Sequence, residues 1–319
     1  MFVGVLFALS AGLMWGLIFV VPLLIPDYPG ALQSVGRYLA FGLIALPLAW
    51  QDRRRLRQLS RSDWMEALKL SLVGNLLYYT FLASAIQRTG APVSSMIIGT
   101  LPVVISVSAN LFYGHHEGRL PWRKLMPVLL LIALGLGCVN SAEWRDSAQH
   151  GDLPRYLSGI ALAVMAMLCW TWYPLRNARW LRSNPQKSTA TWATAQGIAT
   201  LPLAGVGYLL VSVQLHVTQP AFPLPFGPHP ALFITLMIAL GLLCSWLGAL
   251  CWNEASQRLP TVLVGPLIVF ETLAALIYTF WLRQAWPSSV TVCGILALIA
   301  GVVLATQIRP EPVKKPLPL

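Results

Sequence analysis

Charge is what this sequence has least of. Only 10% of its 319 residues are Asp, Glu, Lys or Arg, against 56% hydrophobic, and mean hydropathy is +0.66. A water-soluble domain carries about 25% charged residues because its surface faces water. So little charge excludes an ordinary soluble fold and implies a surface turned largely toward lipid. Acidic residues are scarcest: 11 Asp and Glu stand against 22 Lys and Arg, for a net charge of +11. Such basicity would suit a nucleic-acid binder, but the cations lie in short runs between apolar segments, without interleaved aromatics on a soluble element. No nucleic-acid partner is expected, and the runs read as topology determinants.

Catalytic signatures are missing as well. No HExxH is present; His115-His116-Glu117 lacks further convergent ligands and reads as a solvated turn. Neither Gly-x-Ser-x-Gly nor a phosphate-binding loop occurs, so intramembrane hydrolysis and ATP-driven pumping have no residues to rest on. The five cysteines (Cys138, Cys169, Cys244, Cys251 and Cys293) all fall inside apolar stretches, and no CxxC pair exists. They read as small hydrophobes. Neither an enzymatic activity nor a cofactor is expected. The first apolar segment lacks a basic leader and is long enough to span, so it reads as a retained helix and not a signal peptide.

Long apolar runs are abundant. A bilayer core takes about 20 apolar residues per helix. Runs and breakers divide the chain into ten helices at 2–24, 31–50, 65–86, 92–113, 124–141, 157–176, 189–213, 230–252, 261–282 and 288–307. Loops after even-numbered helices, the helix ends beside them and the C-terminal tail hold 17 of the Lys and Arg residues; the opposite side holds Arg88, Arg145, Arg155 and Arg283, and Arg37 lies within helix 2. Positive-inside bias then places both termini in the cytoplasm. The expected fold is all-α, a polytopic membrane protein of ten transmembrane helices.

The chain also repeats itself. Gly4 and Trp15 recur as Gly159 and Trp170, and Gly42-x-x-x-Leu46-Pro47-Leu48-Ala49 recurs as Gly197-x-x-x-Leu201-Pro202-Leu203-Ala204, all at an offset of 155. Ala85-x-Gln87-Arg88 recurs as Ala255-x-Gln257-Arg258 at an offset of 170, the extra length fitting the loop near 214–229. Each half holds five helices, an odd number, so the second half enters the membrane from the opposite side. Inverted repeats of this kind build transporters, because exchanging the conformations of the halves exchanges the open side.

With these features, and with stretches such as Gly12-Leu13-Met14-Trp15-Gly16, Gln87-Arg88-Thr89-Gly90-Ala91-Pro92 and Gly265-Pro266-Leu267-Ile268-Val269-Phe270-Glu271-Thr272, the chain resembles the drug/metabolite transporter superfamily, EamA type. The resemblance covers essentially the whole chain. It implies two five-helix repeats, here 1–143 and 155–308 with a cytoplasmic tail at 309–319. In that fold four helices of each half line a central cavity and the fifth is peripheral. It implies export or exchange of small metabolites, often amino acids, from the bacterial inner membrane, and supplies no substrate. Pro102 fits the family's fourth-helix proline, but the matching region of helix 9 reads Glu271-Thr272, with Pro266 earlier. The two halves differ chemically there.

Polar residues within the spans mark a pathway. An ionisable group near a helix centre costs about 2.5–3.5 kcal/mol on insertion scales, so it should face a cavity or a partner. Arg37 lies about 9 Å into helix 2 at 1.5 Å per residue; it either snorkels to the outer surface or binds a substrate carboxylate or phosphate. Glu271 is too short and too deep to snorkel. Its roles are a structural pair or a substrate- or proton-binding carboxylate. Further pathway candidates are Trp15, Asn75, Tyr79, Ser95, Trp170 and Gln196, on faces shared with Ser71, Tyr78, Pro102, Ser106, Tyr173, Asn177, Trp192 and Thr200. An aromatic-lined chamber suits amino acids or other modest amphipathic solutes. Expected partners are a small-molecule substrate and the lipid bilayer, with a homodimer open. An intramembrane structural or sensory protein is the competing class.

Overall fold

The computed structural model describes residues 2–89, 94, 97–112, 121–144, 153–259, 263–284 and 286–308. Among them no strand occurs, and the longer helical elements join end to end into the rods below, with a short helix at Arg53–Leu56 between two of them. Rod α1 runs through Phe2–Gly16, a 3-10 turn at Leu17–Phe19 and Val21–Leu24; α2 is Gly30–Gln51. Rod α3 runs through Arg61–Leu70, a π-helical Ser71–Leu77 and Tyr78–Thr89, followed by α4 (Leu101–Phe112) and α5 (Trp122–Trp144). The second set is α6 (Leu153–Ser183), α7 (Thr189–Thr218), α8 (Pro230–Ala239, π-helical Leu240–Leu247 and Gly248–Arg258), α9 (Val264–Arg283) and α10 (Ser289–Gln307).

Several rods outrun the spans expected from apolarity. Rod α6 continues seven residues past 176, and α8 continues to Arg258 instead of 252. Hydropathy marks only the stretch that meets lipid, whereas backbone hydrogen bonding carries a helix into its polar ends. Caps set the starts instead. Ser60 and Asp63 form a reciprocal capping box at α3, with Asp63 N donating to Ser60 Oγ at 3.2 Å and Ser60 N to Asp63 Oδ2 at 2.8 Å. Ser188 and Ser288 cap α7 and α10. Ser95 and the tail lie outside the described residues.

The packing is symmetric between the first five rods and the last five. Rods α2 and α7 pack along each other, as do α5 with α10 and α4 with α9. Other contacts come in exchanged couples: α1 with α8 and α6 with α3, α1 with α9 and α6 with α4, α2 with α8 and α7 with α3. Swapping α1–α5 for α6–α10 maps this pattern onto itself, as a pseudo-twofold axis requires. The repeated glycines sit at the closest approach. A Cβ on Gly42 would stand 2.6 Å from Leu201 Cβ, and one on Gly197 would stand 2.6 Å from Ala45 Cβ. Small residues allow such backbone proximity where lipid offers no hydrophobic drive for helix association. The outer faces are apolar and open, with Leu134 and Leu209 each 67% exposed. A water-soluble bundle would bury such side chains; here they are the lipid-facing surface.

Candidate functional site

The two repeat-related tryptophans meet near the pseudo-axis. Trp15 of α1 and Trp170 of α6 contact edge to face with ring centroids 6.1 Å apart. Trp15 also packs on Trp252 at 5.2 Å and donates from Nε1 to the Cys244 carbonyl at 2.8 Å. Trp170 stacks on Tyr173 at 5.1 Å and on Tyr78 at 5.0 Å. Four helices thus contribute rings to one cluster, whose faces and edges suit a flat or amphipathic solute. Tyr79 packs nearby with Tyr38, Phe41 and Trp246.

Two charges enter this region. Arg37 of α2 turns inward, donating from Nε to Ser245 Oγ on α8 at 2.9 Å, with its guanidinium 5.1 Å from the Tyr38 ring centroid. Glu271 of α9 is half-buried, and its backbone lies against Gly12 of α1, where an added Cβ would be 3.1 Å from Glu271 N. Arg37 and Glu271 act on each other electrostatically, yet among the described residues no ion pair joins them. Glu271 also interacts electrostatically with Tyr78 and Cys244. Opposite charges held apart beside stacked rings can engage both ends of a zwitterion.

Gln196 and Asn75 are placed differently. Gln196 is 2% exposed; its side-chain oxygen accepts from Tyr173 Oη at 3.0 Å and its nitrogen donates to Asn177 Oδ1 at 3.2 Å. Asn177 Oδ1 accepts from Trp192 Nε1 at 2.8 Å, and Asn177 Nδ2 donates to Asn253 Oδ1 at 2.8 Å. The network ties α6, α7 and α8 together below the aromatic cluster. Asn75, in the π-helical part of α3, donates to Thr200 Oγ1 of α7 at 3.3 Å.

Beyond that network, the cation-rich end of the bundle carries a polar collar that sequence reasoning missed. Lys187 pairs with Asp63 at 2.6 Å, Trp180 Nε1 donates to the other Asp63 oxygen at 3.1 Å, and Arg176 forks onto Glu66. Thr191 donates to Asp52, Thr189 donates to Glu254, and Arg258 pairs with Glu254. These contacts tie α2 and α3 to α6 and α7, and α8 to α7. An open cavity of about 560 Å³ lies here, between Arg55, Lys187, Thr189, Glu254 and Arg258. The capping signature Ser60-x-x-Asp63 was readable in sequence; its partners more than 100 residues away were not. Among the described residues no trio of His, Cys, Asp or Glu is placed to hold a metal.

Comparison with known proteins follows the same lines. Residues 2–140 match the model of the EamA-like transporter family. The chain is 61% identical over 314 residues to "Inner membrane protein YtfF" of Escherichia coli (strain K12), covering 98% of this chain and 97% of that protein. It is 24% identical over 240 residues to "Uncharacterized transporter YdfC" of Bacillus subtilis (strain 168), covering 73% of this chain and 68% of that protein. A solved structure at 18% identity shares the fold with a TM-score of 0.68, over 95% of this chain and 98% of its own. This chain belongs to the EamA-like transporter family and is a membrane transporter of the drug/metabolite type.

Proposed function

We propose that the chain is a secondary transporter that exports an amino acid or related small metabolite by alternating access across the bacterial inner membrane. In this reading the repeats 1–143 and 155–308 cross the membrane ten times, with both termini and the tail 309–319 in the cytoplasm. The inner-membrane assignment is supported by the printed name of the Escherichia coli relative. One observation carries the substrate reading: Arg37 and Glu271 both act electrostatically on Tyr78 of the stacked aromatic cluster, and among the described residues no ion pair joins them. A carboxylate at Arg37 and an ammonium at Glu271 would neutralise both ends of a zwitterion, while Trp15, Trp170 and Tyr78 cover its apolar part. Glu271 can also carry a proton, which would couple flux to the proton gradient.

Purified protein in liposomes, loaded with one radiolabelled amino acid at a time, tests this directly. Saturable counterflow of at least one amino acid supports it; binding without flux would assign a sensory role. Arg37→Ala should weaken zwitterionic and anionic solutes most, because a fork of guanidinium donors recognises carboxylates. Equal loss for neutral solutes would mean that Arg37 serves folding.

A further inference from the structure

The π-helical segments fall at repeat-related places, Ser71–Leu77 in α3 and Leu240–Leu247 in α8, one in each half. At the offset of 170 shared by these rods, Asn75 and Ser245 occupy the same position. Each is bonded to the second helix of the opposite half: Asn75 Nδ2 to Thr200 Oγ1 of α7, and Ser245 Oγ to Arg37 Nε of α2. The backbones approach at matching points too. Ser71 Oγ donates to the Gln196 carbonyl at 3.1 Å, and at the equivalent Gly241 an added Cβ would stand 2.8 Å from Phe41 N. A π-helical turn breaks the regular i to i−4 ladder, and such turns concentrate at functional sites. One carbonyl in the α8 segment, that of Cys244, is taken by Trp15 of the aromatic cluster.

We infer that Asn75 and Ser245 are a repeat-related pair of positioning residues that set which side of the membrane the transporter faces. Each holds the hinge of its own half to the second helix of the other. The inference rests on the alternating-access reading above. Symmetry then fixes the signs. Exchanging the conformations of the halves exchanges the roles of the two clamps together with the two membrane faces. Whatever bias the loss of one clamp produces, loss of the other must produce the reverse.

Hydrogen–deuterium exchange on the full chain in lipid nanodiscs reads both ends at once. One end comprises the segments around 52–66, 176–191 and 254–258; the other comprises those around 27–37, 219–233 and 283–291. Ser245→Ala and Asn75→Ala should speed exchange at opposite ends by about fivefold, the equilibrium factor of one hydrogen bond of ordinary net worth. Thr200→Val, which removes the acceptor of Asn75 from the other helix, should reproduce Asn75→Ala, so the test does not depend on one variant folding. The double variant should return both ends toward wild-type rates. Opening of the same end by both single variants, or faster exchange confined to the π-helical segments, would overturn the inference. Flux plays no part in this readout, so failure of the transport reading and failure of the clamps are told apart.

Discussion

Of the two charged side chains in the membrane interior, Arg37 is held and Glu271 is not. Arg37 has Ser245 and the Tyr38 ring, Gln196 has Tyr173 and Asn177, and Asn75 has Thr200. No described residue bonds the Glu271 carboxyl. A carboxyl without a fixed partner is free to exchange a ligand for a proton, whereas a structural one would be tied down. Glu271→Gln keeps the shape and removes the charge. It should abolish flux driven by a pH gradient while leaving membrane expression in place. Proteoliposome flux with and without an imposed gradient decides the matter: retention of the full gradient response would make Glu271 structural.

At the level of helices, the α2–α7 crossing depends on the glycine of the repeated Gly-x-x-x-Leu-Pro-Leu-Ala. With Cβ room of only 2.6 Å to Leu201 and 2.8 Å to the Leu201 backbone, Gly42 admits no branched side chain. Gly42→Leu should separate the helices and lower the thermal midpoint in detergent by several degrees, since overpacking costs about 1–3 kcal/mol. An alanine at Gly205, which no atom approaches within 4 Å, should be nearly silent. The repeated motif around Gly42 and Gly197 was legible in the sequence; that α2 packs along α7 was not. The π-helical segments were not, because Ser71–Leu77 and Leu240–Leu247 read as ordinary apolar helix until tertiary contacts draw out the extra residue. Likewise Arg37 and Glu271 were legible as misplaced charges by composition alone. Ser245 as the Arg37 partner was not, because the two lie 208 residues apart and a serine in a membrane helix has many ordinary reasons to be there.

For the molecule as a whole, the two ends of the bundle differ. The cation-rich end is joined across the halves by Lys187 to Asp63 and by Arg176 to Glu66, with Thr191 donating to Asp52. The far end is joined by hydrogen bonds to uncharged acceptors, with Tyr28 Oη donating to the Phe226 carbonyl at 2.9 Å and Arg88 to Ser158 Oγ at 2.9 Å. If opening of the cation-rich end is part of the cycle, these ion pairs must part and re-form with each turnover, and their titration matters. Burial pushes the Asp63 carboxyl up, but Lys187, the Ser60 backbone N–H and the Ser60 hydroxyl together outweigh it and hold Asp63 below its ordinary value. A carboxyl depressed in the folded state contributes stability that is complete above its unfolded value, near 3.9, and is lost as pH falls through the folded value. Asp63 therefore stays ionised near neutral pH. Thermal midpoints of wild type and Asp63→Asn in nanodiscs should differ by a constant amount from pH 5 to 8. That gap should reflect about 1–3 kcal/mol, between the values of exposed and buried pairs. It should close below about pH 4, where wild type loses the same contribution. The pH profile of transport near neutrality should be the same in both proteins. A shift of that profile in Asp63→Asn would place the proton-responsive step at the collar and not at Glu271.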